Sequence, residues 1–350
     1  MRKAEILFVL VSLLSLLNDA HAQRIVAIDE TYEIDTAFAA LVKDFKSIKQ
    51  YSSTLQLPTL YQSGGFEVRL ADTALNLPKR RLVLTNPFGA DKYPLSYSVI
   101  YQGCLVSFFA PGHFACYTIG NFGRNLPLEE QLNTRQFEKH WLIDDHLVGL
   151  AKGRYWRFSP GKGWELYTRA IPFEDGPKLY EDKKYLVYSQ CRGEFGGQVH
   201  FYHKRTQKTY STESVCAVWV SRSPKGYEVL SNLGHGTGHT RKVLIRDPRK
   251  LPLVSDLAFN LFSIQLFGGF KRQSQDMYLL HLAGQTHLAT LSDRTFYIVD
   301  PLFKGRLYTH HPVSTNYGSM SLINFDHYGT GREREVACMV IRGDEMVVLN

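Results

Sequence analysis

The chain has 350 residues, 44% hydrophobic, 21% charged and 13% aromatic, which excludes intrinsic disorder, a collagen-like repeat and a coiled coil. Length alone excludes a peptide hormone or a disulfide mini-protein and leaves enough chain for a sizeable core. The formal net charge of +8 comes in short basic groups such as Lys79-Arg80-Arg81 and Arg241-Lys242, a pattern of solvated faces with some attraction to an anionic surface.

Residues 1–22 have the layout of a secretory signal. Arg2 and Lys3 precede an apolar run from Ile6 to Leu17, and Ala20-His21-Ala22 forms a small-x-small cleavage site. The run is short for a bilayer, and no later stretch reaches the roughly 18 apolar residues of a membrane helix. Gln23 rather than Cys follows the site, so the expected product is secreted or periplasmic after cleavage near Ala22, without a lipid anchor or a membrane span. Export also argues against nucleic acid as a partner.

The segment 23–80 comes next. From Asp35, Phe38, Leu41, Val42, Phe45 and Ile48 recur at helical spacing, with Asp35 or Thr36 as the cap, and predict one N-terminal amphipathic helix. Residues 51–80 read as a loop-rich connection holding a short strand, Phe66 to Leu70. From about residue 81 to 350 the chain becomes short apolar or alternating runs broken by Gly, Pro, Asn and Asp. Leu105–Ala110, Tyr185–Ser189, Val199–His203, Tyr227–Leu230 and Met346–Leu349 are examples. Helical segments between them are missing, so the expectation is an all-β fold.

Five cysteines are an odd number for an exported chain, so at least one is free or paired between chains. Cys191 and Cys216 stand at the ends of strand-like segments where they can bridge. Cys104 and Cys116 flank Pro111-Gly112. A two-residue turn there pairs 104 with 119 and 107 with 116, which sends the two side chains to opposite faces. Cys338 reads as a small core residue.

Two segments are alike: Gly236-Thr237-Gly238-His239-Thr240-Arg241-Lys242-Val243 and Gly329-Thr330-Gly331-Arg332-Glu333-Arg334-Glu335-Val336. Both read GTG, two residues, Arg, one residue, Val. Glycine turns at Gly112, Gly153, Gly197, Gly238, Gly284 and Gly331 each sit between two strand-like runs, at intervals of roughly 41 to 47 residues. Tight reversals between twisted strands call for positive φ, which glycine enters without steric cost. That makes six units of one four-stranded leaflet each.

Residues 81–350 therefore resemble a β-propeller, whose blades run about 40 to 50 residues. Six blades is the count, within a range of five to seven, and the N-terminal segment is available as a closing strand or part of a further blade. No WD array, kelch pattern or YWTD motif is present, so the resemblance reaches no named propeller family.

In propellers the turn between the second and third strands lies on the funnel face. The resemblance implies that Arg192, Glu194, His235, His239, His327 and Arg332 project there as candidate ligand-binding residues, with solvated turn residues as the plainer reading. Convergent His, Glu and Arg suit an acidic or sugar ligand, or proton transfer near neutral pH. Arg241 and Arg334, each on an otherwise apolar side of its strand, are expected to hold a carboxylate or backbone carbonyls of the next blade. The aromatics Tyr155, Trp156, Phe158 and Trp164 suit blade packing more than sugar stacking. Asp144-Asp145 and Glu174-Asp175 are adjacent acids that face opposite ways and make no glycosidase dyad.

His235 and His239 lack helical geometry, so no metal site is expected, and no cofactor is indicated. The leading expectation is a secreted binding or interaction module. Its partner is an extracellular glycan, a small acidic ligand or a protein. The alternative is an extracellular carbohydrate-active hydrolase or lyase with acid and base drawn from different blades.

Overall fold

The computed structural model describes 27–28, 61–63 and 65–349, except for 72–74, 76, 85, 91–93, 170, 174–175, 234–238, 254, 263–264, 283–284, 304–311 and 326–337. The signal segment and the amphipathic helix expected from Asp35 lie outside these residues. No described helix is long and apolar enough to cross a membrane. The chain divides into two compact units. One is built on Arg81–Thr168 with the first residues and Asn350, the other on Asp29–Arg80 and Arg169–Leu349.

Short N-terminal strands come first: β1 Ala27–Ile28, β2 Tyr61–Ser63, β3 Phe66–Leu70 and β4 Lys79–Leu82. In the first unit follow β5 Val99–Tyr101, β6 Cys104–Phe109 and β7 His113–Thr118, a three-stranded antiparallel sheet I. Then come helix α1 Leu126–Leu132 and the four-stranded sheet II, made of β8 Lys139–Ile143, β9 His146–Ala151, β10 Arg154–Ser159 and β11 Gly163–Leu166.

The second unit holds four such meanders. Sheet III is β12 Lys178–Glu181, β13 Tyr185–Cys191, β14 Gly197–His203 and β15 Lys208–Glu213. Sheet IV is β16 Ala217–Ser223, β17 Gly226–Leu233, β18 His239–Ile245 and β19 Asp256–Phe262. Sheet V is β20 Gln265–Arg272, β21 Gln275–Leu282, β22 Gln285–Ser292 and β23 Thr295–Phe303. Sheet VI is β24 Val313–Tyr317, β25 Met320–Asn324, β26 Cys338–Arg342 and β27 Glu345–Leu349.

The first strands of these four sheets adjoin, β12 touching β16 and β24, and β20 touching β16 and β24. A single parallel bridge joins Trp219 to Ser314. Four twisted leaflets with their first strands innermost make a propeller-like arrangement. The chain is all-β with one short described helix.

Apolar layers fill the spaces between leaflets. Trp219, Leu230, Phe259, Leu266, Tyr278 and Leu280 pack between sheets IV and V. Phe267, Leu279, Leu288, Ile323, Met339 and Val348 pack between V and VI. Alternation along each strand supplies one row to each layer. The N-terminal strands cover outer edges, β3 pairing parallel with β23 from Glu67↔Thr295 to Leu70↔Ile298. The Met346 amide donates to the Pro78 carbonyl at 3.0 Å beside β27. Edge strands left bare invite foreign pairing, and this segment closes two of them.

Several hairpins close through two left-handed residues, Gln102-Gly103, Asp144-Asp145, Lys152-Gly153, Gln273-Ser274 and Asp293-Arg294, the backbone that two-residue turns between twisted strands require. Asp144-Asp145 is thus a hairpin turn. The turn after β6 departs from the sequence-based register. Phe109 pairs with His113 across the three residues 110–112, so Cys104 faces Thr118 and Val106 faces Cys116. The extra loop residue moves every partner by one, and the side chains of Cys104 and Cys116 come to the same face.

Helix α1 carries no strong sequence signal beyond its cap. The Asn125 side chain accepts from the Leu128 amide at 3.1 Å, with Pro127 in the first turn.

Candidate functional site

Each glycine turn singled out in the sequence falls between the second and third strands of a successive sheet. Gly112 and Gly153 have φ of +114° and +70°. In sheet III the left-handed positions are Gly193 and Gly196. Gly197 is extended and needed for closeness, since a Cβ there would lie 2.3 Å from the Gln190 carbonyl oxygen. Gly238, Gly284 and Gly331 lie between described strands but outside the described residues.

These turns mark one end of the second unit's sheets, where each first strand begins. The polar interior collects at that end. Asn232, Thr240, Gln265, His281, Thr286, His287 and Asn324 are all buried, and each lies within three residues of its strand terminus on that side. Thr240 Oγ1 accepts from the Leu266 amide at 2.9 Å, which ties sheet IV to the first residues of sheet V. Ser214 and Ser231 share a hydroxyl hydrogen bond of 2.6 Å. The layers deeper between the sheets are apolar. Buried polar groups carry a desolvation cost unless they are engaged, and Thr240, Ser214 and Ser231 are engaged by these bonds.

Of the predicted site residues, Arg192 and Glu194 are exposed on the β13–β14 turn. The turn is held by hydrogen bonds from the Arg192 amide to the Gly196 carbonyl, 2.9 Å, and from the Gly196 amide to the Gly193 carbonyl, 3.1 Å. Its base is fastened by a disulfide between Cys191 and Cys216, Cα atoms 4.6 Å apart. His239 opens β18, half-buried, with Nε2 against Asn260 Oδ1. His235, His327, Arg332 and Arg334 lie outside the described residues. The sequence reading missed the Phe195 side chain, which stands 83% exposed between Glu194 and Gly196. It also missed the buried polar residues, whose only signal is their distance from a glycine turn.

Carboxylate contact with the next sheet, one of the two roles expected of Arg241 beside contact with backbone carbonyls, is made by its neighbour. Arg241 is half-buried and makes no ion pair among the described residues. Lys242 is buried, with Nζ 2.7 Å from Glu228, 2.9 Å from Asp276 and 2.8 Å from the Tyr278 hydroxyl. Register explains the exchange. Lys242 pairs with Leu230 and Phe259, both core residues facing sheet V, whereas Arg241 pairs with Ser231 and Asn260. Burial pulls the ammonium's pKa down, but Tyr278, Asp276 and Glu228 outweigh it and hold the value above that of ordinary lysine. Burial works against the Asp276 carboxylate too, and Lys242 with Lys271 brings it below its usual range.

Glu228 and Asp276 stand at the opposite end of their strands, whereas Asp300, near the end with the glycine turns, is committed as well. Asp300 accepts from Lys79 Nζ at 2.6 Å and from the Leu77 amide at 3.1 Å. In the first unit the aromatics pack: Trp164 lies 4.3 Å from the Phe137 ring and donates Nε1–H to the Leu132 carbonyl. The Trp156 face is covered by the Arg135 guanidinium at 3.5 Å. Among the described residues no three His, Cys, Asp or Glu side chains come together as a metal site.

No family model matches the chain, and no curated protein matches it. Solved structures that it is similar to include BamB from Moraxella catarrhalis, 12% identical over 66% of this chain and 67% of that one, with a TM-score of 0.35. Another is the N-terminal domain of Nup159, 9% identical over 79% of this chain and 78% of that one, with a TM-score of 0.37. The propeller-like arrangement rests on this chain's own sheets.

Proposed function

We propose that this chain is an exported propeller of six blades, one for each meander sheet, and that it works as a binding module. Its partner site is the end that carries the second-to-third strand turns. The observation that carries this reading is the concentration of buried polar side chains at that end, together with a turn that presents Arg192, Glu194 and Phe195 on a base fastened by the 191–216 disulfide. A rigid turn loses little entropy when it is bound, and an exposed aromatic flanked by charges of both signs suits a protein surface with an apolar pocket. His235, His239, His327 and Arg332 are the further contacts in this reading. The disulfide accords with an oxidising compartment.

Among the described carboxylates, Asp300, Asp276 and Glu228 are engaged with lysines rather than standing as a free acid and base. The test is photo-cross-linking in the intact producing cell, with benzoylphenylalanine placed at Phe195 or, on the exposed β16–β17 turn, at Lys225. Adducts from position 195 and not from 225 are expected. Adducts from 225 alone, or from neither, would overturn the assignment of the face.

A further inference from the structure

Three of the five cysteines are thiols in the structure: Cys104, Cys116 and Cys338, all buried. Two of them are neighbours. Cys104 faces Thr118 and Val106 faces Cys116, so the two cysteines are diagonal on one face of the β6–β7 hairpin. The Ile119 amide donates to the Gly103 carbonyl at 2.9 Å, which makes 103 and 119 a hydrogen-bonded pair. By alternation, 104/118 and 106/116 are non-hydrogen-bonded pairs, the kind whose side chains stand closer. Diagonal neighbours on such a face lie roughly 7 to 8 Å apart, their Cβ atoms somewhat closer, and a disulfide needs Cα atoms within about 6.8 Å. Bridging them therefore draws the two strands together by up to about 1 Å, with their register kept.

Helix α1 fixes the register. Asn125 Nδ2 donates to Cys104 Sγ at 3.4 Å, and Glu129 Oε1 accepts from the Cys116 amide at 2.9 Å. Glu129 is itself ion-paired with Arg124. Cys338 has no such neighbour in its sheet, for it faces Asn324 and Leu349.

We propose that Cys104 and Cys116 are a second disulfide pair, closed when the exported chain folds under oxidising conditions, with Cys338 the one thiol left over. The proposal rests on the export reading only for the identity of the compartment. The oxidant is a thiol–disulfide oxidant, either oxidised glutathione or an oxidoreductase disulfide. One cysteine thiolate attacks it to give a mixed disulfide, and the other cysteine displaces the oxidant's second sulfur. A Sγ–Sγ bond forms, the oxidant's S–S bond breaks, and two electrons and two protons end on its two thiols. Burial, then the Glu129 carboxylate and Cys104, push the Cys116 thiol far above its ordinary pKa, so thiolate is scarce once the hairpin is packed. The bond therefore forms while the hairpin is still open.

The test is alkylation of the full exported chain in denaturant without reductant, followed by intact mass and peptide mapping. One alkylated cysteine, Cys338, and a linked 104–116 peptide are expected. Three alkylated cysteines with 191–216 still linked would overturn the proposal. If Cys191 and Cys216 are alkylated as well, the export reading fails instead. The pair is then decided by refolding the reduced chain in a glutathione redox buffer, where 104–116 is expected beside 191–216. Open thiols at 104 and 116, or a link from either to Cys338, would refute it there.

Discussion

At the scale of single residues, the largest consequence comes from one step along β18. Arg241 and Lys242 are adjacent cations, and strand alternation sends them to opposite faces. Only Lys242 meets carboxylates, Glu228 on its own sheet and Asp276 on the next. Lys242→Met would leave Glu228 and the Tyr278 hydroxyl without their cation and Asp276 with Lys271 alone, and we expect a loss of about 3 kcal/mol in urea unfolding. Arg241→Ala should stay within about 0.5 kcal/mol, as surface changes do. Equal losses would show that the buried network is not what binds the two sheets. The sequence pattern marked a cation on this strand but not which one. The regular pairing of β18 with β17 places Lys242 opposite Leu230 and so toward sheet V, while a β-bulge adds one residue, Ala258, to β19 opposite Lys242 and Val243.

At the scale of elements, the strands were legible and the turns only partly so. Runs such as Tyr185–Ser189 and Tyr227–Leu230 lie inside β13 and β17, because alternation and turn punctuation are local properties. Gln273-Ser274 and Asp293-Arg294 adopt left-handed pairs without glycine, since the paired strands on either side impose the geometry. Close packing of leaflets places its own demand on glycine. A Cβ on Gly269 would lie 2.4 Å from Trp219 Cε3, and Trp219 is fully buried. Gly269→Ala is expected to destabilise by about 1–3 kcal/mol. At Gly120, which has nothing within 4 Å and no positive φ, the same change should cost under about 0.5 kcal/mol. Paired thermal melts of the two variants read the difference directly, and matching melting points would show that the Trp219 contact has slack.

At the scale of the whole molecule, acid should act through the first unit's His140. Its imidazole is buried between Phe108 and Phe114, ring centroids 5.4 and 5.3 Å away, with Nδ1 3.1 Å from Ser96 Oγ. Burial lowers its pKa to about 3. An unfolded histidine titrates near 6.5, so below that pH the unfolded chain takes up a proton that the native state refuses. The stability contribution is whole above about 6.5 and falls with pH until about 3, by up to about 1.4 kcal/mol per pH unit. Between pH 6.5 and 5, the native chain should lose up to about 2 kcal/mol more than His140→Phe, which keeps a ring and removes the titration. Parallel slopes for the two proteins would mean that His140 charges in the folded state.

Alternation, turn residues and the spacing of glycines determine by themselves that the chain is all-β, where most of its strands run and which turns share an end, because each depends on a few neighbouring residues. The 191–216 bridge was legible for the same reason, both cysteines ending strand-like runs. What only the tertiary structure decided is which side chains meet across leaflets: Lys242 and not Arg241, Cys104 beside Cys116, and the buried polar end with Phe195 standing clear of it. The cysteine pair follows from a one-residue shift of register, and because strand side chains alternate with a period of two, such a shift reverses every face; the other two depend on which leaflets and turns come together.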